Sequence, residues 1–287
     1  MIIYGGTLKG LLEKAQEGKY AVPQFNYSDV WDFRAIIEAA EEEDAPVIVA
    51  GIPKVIDGIG KNLCASLGSI GMAHSKIPVI HHLDHSTKID YCMWAIDAGF
   101  PSVMIDASMC RLEENINIVK QVVEYAHARG VHVEAEIGQI PAGKDEGKEG
   151  VGDALVNPME AARLVQSTGV DSLAIGIGTA HGFYKSEPKI DYERLAQVKA
   201  TIDTPLVLHG GTGIPDEAVQ KAITGGIAKI NVGTIVRHVY LTSLREALNR
   251  MEQADHTVDI QEMIRPKVKT EIKRWIRLFG AAGKASH

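Results

Sequence analysis

The chain has 287 residues, 45% hydrophobic and 23% charged, enough apolar material for one large core. A formal net charge of −7 and the lack of any basic run interleaved with aromatics exclude a nucleic-acid surface, and no run of about eighteen apolar residues offers a membrane span. Cys64, Cys92 and Cys110 are odd in number, far apart and not in a C-x-x-C pair, which predicts free thiols in a reducing compartment; with no apolar signal in "MIIYGGTLKGLLEKAQ", a cytoplasmic protein is expected.

Short runs rich in Val and Ile recur along the chain, each followed by a longer segment with helical spacing. The first, "YAVPQF" at 20–25, leads into a helix candidate from Asp29, and "PVIVA" at 46–50 is the second. "PVIHHL" at 78–83, "SVMI" at 102–105 and "HVEAE" at 132–136 follow; between the last two, "LEENINIVKQVVEYAHARG" reads as a helix from Leu112 with Gly130 where a C-cap would sit. "NPMEAARLVQSTG" begins on Asn157 as N-cap with Pro158 in the first turn, and stops at Gly169. "SLAIG" at 172–176, "PLVLH" at 205–209 and "AKIN" at 228–231 complete eight strands.

Strands apolar on both faces and joined by helices imply a parallel sheet, and eight such units predict an α/β fold, a closed (β/α)8 TIM barrel, as a single domain over 1–287. An open doubly wound sheet is the alternative, but no G-x-G-x-x-G follows the first strand. The segment "TVDIQEMIRPKVKTEIKRWIRLFGAAGKA" reads as additional C-terminal helix. Its apolar Trp275, Ile276 and Phe279 suit either a homodimer or homotetramer contact or a cap on the barrel.

Active sites of such barrels form at the carboxyl ends of the strands. Polar residues recur there: Asn26, Asp84 and His85, Asp106 and Ser108, Glu136, His181, His209 and Asn231. Imidazoles from separate strands suit Zn²⁺, which in catalytic sites takes three protein ligands and leaves a position open, so His85, His181 and His209 are the expected metal ligands. In "VIHHLDH" at 79–85, alternation sends His81, Leu83 and His85 to one face and His82 and Asp84 to the other. Asp84 and His85 both reach the site only if the strand ends near Leu83. A capping box of Thr87 with Asp90 would place the next helix to allow this, leaving His81 and His82 as packing residues. Two glycine-containing loops, Gly210, Gly211 and Thr212 after strand seven and Gly233 and Thr234 after strand eight, match the place where (β/α)8 enzymes hold phosphate on backbone N–H groups and a helix N-terminus.

From about Leu8 to Ala285 these features resemble the class II, zinc-dependent ketose-bisphosphate aldolases of the shorter type, which includes fructose- and tagatose-bisphosphate aldolases. The resemblance rests on "HLDH" at 82–85, "VMIDAS" followed by "LEENI" at 103–116, "EAEIGQI" at 134–140, "GIGTAHGFY" at 176–184, "LHGGTGI" at 208–214 and "KINVGT" at 229–234. It implies that Asp84 is the acid/base group, that both loops with Gly182 and Lys185 hold the phosphate of dihydroxyacetone phosphate, and that Asp106, Ser108 and Glu136 lie around the metal. A monovalent cation, Na⁺ or K⁺, near the phosphate loops is a further implication. Zn²⁺ would stabilise the enediolate that forms when the C4 hydroxyl of a ketose loses its proton.

Two stretches depart from the family pattern. In the loop after strand five, "IPAGKDEGKEGVGD" at 140–153, the family's proton-donating Glu is replaced by Asp145 with Glu146 beside it, or by Lys144, depending on one inserted residue. After strand two, Ile52 stands where the family has a Ser or Thr for the distal phosphate, with Lys54 as a nearby cation. The expectation is therefore a lyase cleaving fructose or tagatose 1,6-bisphosphate, with two alternatives: a ketose or keto-acid phosphate lacking the distal phosphate, or a non-catalytic phosphosugar-binding subunit. A (β/α)8 metallohydrolase is disfavoured, since no H-x-H pair occurs in "YAVPQFNYS".

Overall fold

The computed structural model describes residues 7–140, 155–251 and 256–285. Eight parallel strands close into a barrel in sequence order: β1 (Val22–Asn26), β2 (Val47–Gly51), β3 (Val79–Ser86), β4 (Ser102–Ile105), β5 (His132–Ile137), β6 (Ser172–Ile175), β7 (Leu206–Leu208) and β8 (Ile227–Val232), with β8 pairing back onto β1. Seven of the expected strands lie within two residues of their predicted bounds, and β3 runs three residues longer. Nearly every strand residue is buried because helices cover the outer face and side chains fill the lumen.

Helix ends follow local chemistry. Helix α1 (Leu8–Gly18) packs on β1 and β8. In α2 (Val30–Glu42) the Asp29 carboxylate accepts from the N–H of Trp31 and Asp32, and Asp32 returns the bond, a capping box. Asn157 caps α7 (Pro158–Thr168), which ends on Gly169 at φ 70°. The helix from Leu112, α6 (Leu112–His127), stops earlier than its glycine suggested: the C-cap is Ala128, and Gly130, at φ 70°, turns the chain into β5.

The Thr87–Asp90 box does not form. Helix α5 (Ile89–Asp97) starts one residue later than that box requires, Lys88 is its N-cap without a side-chain bond, and Thr87 stays exposed. Ser86 Oγ instead accepts from Lys88 N at 3.3 Å and donates to its carbonyl at 3.1 Å.

The terminal helix α11 (Thr257–Leu278) lies against α2 and α10 (Thr234–Leu248). Trp275, Ile276 and Phe279 are buried within the chain, so this cluster caps the barrel and gives no support to a subunit contact. Ion pairs tie the helix down, Lys269 and Arg265 to Glu38, Lys269 and Lys273 to Glu42, and Arg277 to Glu43. No helix among the described residues is long and apolar enough to cross a membrane.

Candidate active site

The β3 strand answers how neighbouring Asp84 and His85 share one site. Its ladder to β4 pairs Leu83 with Val103, then skips to Ser86 with Ile105, and His85 sits in the skipped stretch at φ 49°. This bulge, not an early strand end, breaks the alternation and turns both side chains into the barrel mouth. Upstream, the alternation holds. His81 faces the helices, stacked on Phe100 at 4.0 Å and bonded to Tyr27 Oη at 3.1 Å; His82 faces the lumen and meets Ser102 Oγ at 2.7 Å. Burial pushes both imidazoles down to about 3, so they are neutral packing residues.

His85, His181 and His209 converge, with one ring nitrogen from each within 4.8 Å of the others. His209 Nδ1 lies 2.8 Å from His85 Nε2, while its Nε2 lies 2.9 Å from Glu134 Oε1. Because an ionised carboxylate only accepts, Nε2 carries the proton and the Nδ1 lone pair points into the cluster. Glu134 is in turn paired with Lys229 Nζ at 2.6 Å across the barrel, and all three side chains are fully buried. Burial alone would raise the Glu134 carboxyl, but the Lys229 charge and its hydrogen bond hold it low.

Carboxylates surround this cluster. Asp84 is 98% buried, accepts from Asn26 Nδ2 at 2.7 Å and from Asn231 Nδ2 at 3.3 Å, and lies 4.0 Å from His85. Burial works against its charge, but His85 and the Lys229 cation outweigh it and keep Asp84 ionised. Asp106 lies 3.5 Å from His85 Nδ1, and Ser108 donates to it from Oγ at 2.7 Å and N at 3.0 Å. Glu136 completes a second group with His85 and Asp106, and burial followed by Asp106 pushes its carboxyl up to about 8. Against burial, Asp84 and Asp106 raise His85 to about 9, whereas burial and His85 lower His181 to about 4. Three imidazoles hemmed in by acids form a donor set that a divalent cation satisfies.

The site opens into a cavity of about 560 Å³ lined by the expected Asn26, Asp84, His85, Asp106, His181, Gly182, Gly210, Gly211, Thr212, Asn231, Gly233 and Thr234. The Gly210–Thr212 and Gly233–Thr234 loops are built by backbone geometry. Gly210 has φ 71°, and a Cβ there would lie 2.2 Å from the Ala180 carbonyl oxygen. Tyr184 Oη accepts from Ala180 N and donates to Gly210 O, each at 2.9 Å, tying the β6 and β7 loops together. Thr212 Oγ1 accepts from Ile235 N at 3.2 Å, and Gly233 caps α10 without a side chain, leaving first-turn N–H groups facing the loop.

Ser108 and Glu136 are not among the residues that line the cavity. Lys185 is exposed and outside the cavity lining, so the structure does not bring it to the phosphate loops. Lys144, Asp145 and Glu146 lie outside the described residues. Sequence reasoning missed Glu134, Lys229, Tyr184 and Arg237. The first two were detectable, since Glu134 is two residues before Glu136 and Lys229 two before Asn231, on the same lumen-facing side of their strands.

Together, fold and site define a (β/α)8 barrel whose mouth brings three imidazoles and their carboxylates together beside a glycine-walled cavity. Residues 6–284 match the family model described as fructose-bisphosphate aldolase class-II, and the chain belongs to that family. It is 42% identical over 286 residues to a fructose-bisphosphate aldolase of Geobacillus stearothermophilus, covering 98% of each chain, and 41% identical to one of Staphylococcus epidermidis, covering 97% of this chain and 98% of that one. The crystal structure of the YdjI aldolase from Escherichia coli K12 superposes with a TM-score of 0.86 at 32% identity, over 98% of this chain and 99% of the other. The protein is accordingly an aldolase, a carbon–carbon lyase.

Proposed function

We propose that the chain is a zinc-dependent aldolase that cleaves a ketose 1,6-bisphosphate, fructose or tagatose, into dihydroxyacetone phosphate and an aldehyde. The observation carrying this reading is the convergence of His85, His181 and His209 beside an ionised Asp84 whose two oxygens are held by Asn26 and Asn231. The three imidazoles would hold the ion, which as a Lewis acid supplies stabilisation of negative charge on the substrate's C2 oxygen.

The chain's own groups do the rest. Asp84, fixed by the two amides, takes the proton of the C4 hydroxyl as the C3–C4 bond breaks. Gly182, the Gly210–Thr212 loop and the Gly233–Thr234 helix start hold the C1 phosphate, which fixes the ketose relative to Asp84. The proton returned to the enediolate carbon comes from the Lys144–Glu146 segment.

A coupled assay for dihydroxyacetone phosphate over a panel of ketose phosphates tests this. Turnover lost on complete metal removal and restored by Zn²⁺ is the expected result, and full activity without metal would refute it. Asp84→Asn should retain bound metal and lose roughly 10²–10⁴-fold in kcat; loss of the metal instead would make Asp84 a partner of the ligands.

A further inference from the structure

Asp32, in the first turn of α2, is buried and belongs neither to the imidazole cluster nor to the cavity lining, yet it reaches the cavity wall through the backbone. A capping box requires Asp32 to accept the N–H of the cap residue, Asp29, which it does at 2.9 Å. Here the carboxylate extends one residue further back. The N–H of Ser28 points between its two oxygens, 2.9 Å from Oδ1 and 2.8 Å from Oδ2. Ser28 follows Asn26 and Tyr27 and all three line the cavity, while Asn26 is also the residue that donates to Asp84. On the side away from the cavity, Asp29 accepts from Tyr240 Oη of α10 at 2.7 Å, and Tyr240 is bonded to Gln261 of α11. The turn that leaves β1 is thus gripped from behind by Asp32, beyond what the start of α2 requires.

We propose that Asp32 is a positioning residue of the aldolase, whose ionised carboxylate holds the Asn26–Ser28 turn against the cavity and with it the aim of Asn26 at Asp84. The proposal rests on the aldolase reading and adds to it a residue outside the cavity. Only the ionised form offers an acceptor at both oxygens; a proton on either one, or the amino group of an amide, replaces one of the two acceptors of the Ser28 N–H by a donor. Burial, with the Asp29 charge, pushes the carboxyl up to about 7 against the lowering effect of the backbone bonds, so the grip changes across neutral pH. Of the other groups packed around it, Tyr27 and Tyr240 are phenols that burial holds neutral, and Arg265 of α11 shares its charge with Glu38 and Glu262. A crevice of about 10 Å³ between α2, α10 and α11, lined by Trp31, Asp32, Tyr240 and Arg265, has room for about one water and gives the carboxyl a route for proton exchange.

The test follows kcat/KM for a ketose 1,6-bisphosphate between pH 6 and pH 8.5 in the Zn²⁺-loaded wild type and in Asp32→Asn, which resembles the protonated form at every pH. The ratio of wild type to variant cancels the titration of the substrate's phosphates and of the metal site. It should be about two at pH 6 and climb to roughly tenfold above pH 8, with bound zinc equal in both proteins. A ratio that does not change with pH would reduce Asp32 to a helix cap and overturn the proposal, as would loss of zinc from the variant. Hydrogen exchange of the wild type, read by NMR, needs neither a folded variant nor turnover. Protection of the Ser28 and Asp29 amides, corrected for intrinsic exchange, should rise several-fold from pH 6 to pH 8 while that of α7 stays constant, and unchanged protection would refute the grip. Should neither protein cleave any ketose phosphate, the aldolase reading fails, and these two amides still decide on Asp32.

Discussion

Lys229→Met removes a cation at the centre of the barrel without much change in side-chain volume. Lys229 and Glu134 are both fully buried and 2.6 Å apart, so the variant leaves a carboxylate uncompensated in the lumen. Breaking a buried pair from one side costs about 3–5 kcal/mol, a large part of the roughly 5–15 kcal/mol that separates folded from unfolded states. For a chain of this size that corresponds to a fall in Tm of roughly 5–10 °C.

The functional consequence follows from the same geometry. Deprived of Lys229, Glu134 is driven toward its protonated form, because burial raises its pKa and the largest opposing influence is gone. It then ceases to be the fixed acceptor for His209 Nε2, and metal affinity should drop about 10–100-fold. The double variant Glu134→Gln/Lys229→Met removes both charges yet keeps an amide oxygen for His209, so it should recover to within about 2 kcal/mol of wild type and regain most of the affinity. Urea unfolding and competitive metal titration of the three proteins provide the check. A single variant within 1 kcal/mol of wild type, or a double variant no better than the single, would refute this account.

Three further outcomes are expected. Tyr184→Phe loses both bonds that join the β6 and β7 loops, so KM for phosphosugars should rise several-fold while bound metal is unchanged; metal loss would assign Tyr184 to the imidazole cluster instead. Gly68→Ala in α4 (Lys61–His74) would gain up to about 1 kcal/mol in helix propensity, but its Cβ would lie 1.9 Å from His81 Nδ1, and overpacking of about 1–3 kcal/mol should win; a stabilised variant would show that the helix slides off β3 easily. His81 has a folded-state pKa of about 3 against 6.5 unfolded, so between these values the unfolded chain binds the extra proton and stability falls as pH falls through 6.5. The contribution amounts to about 2 kcal/mol between pH 8 and pH 5, so His81→Gln should show a pH difference smaller by that amount in urea unfolding; an identical difference would mean His81 is protonated in the fold.

The barrel was readable in advance because its signals are local and repeated. Each strand is a short two-faced apolar run, and helices such as α7 carry their own start in Asn157 and Pro158 and their own stop in Gly169. The meeting of the three imidazoles was readable for a related reason, since the loops leaving the strand ends of a barrel converge and His85, His181 and His209 follow three of them. What the sequence hid depends on partners distant along the chain. The Glu134–Lys229 pair spans 95 positions, so alternation can place each side chain in the lumen but cannot say that the two meet. Arg237 faces the cavity only because of how α10 is set on the barrel, which the spacing of its residues does not reveal.

The β3 bulge is the clearest case of this limit, and it also bears on function. Strict alternation would turn His85 outward with His81 and Leu83, against the helices, and leave the cluster one imidazole short. Whether a strand keeps its register is decided by its neighbour: here β4 pairs with Leu83 and again with Ser86, forcing the residues between to bulge. The left-handed φ of 49° at His85 costs of order 1–3 kcal/mol for a residue with a side chain. Such strain persists where surrounding contacts over-determine the conformation, and those at His85 are Asp84, Asp106 and His209. The contacts that hold the strained backbone are thus the groups that make the site, so the distortion of β3 is a consequence of bringing the side chains of two adjacent residues, Asp84 and His85, into one cavity.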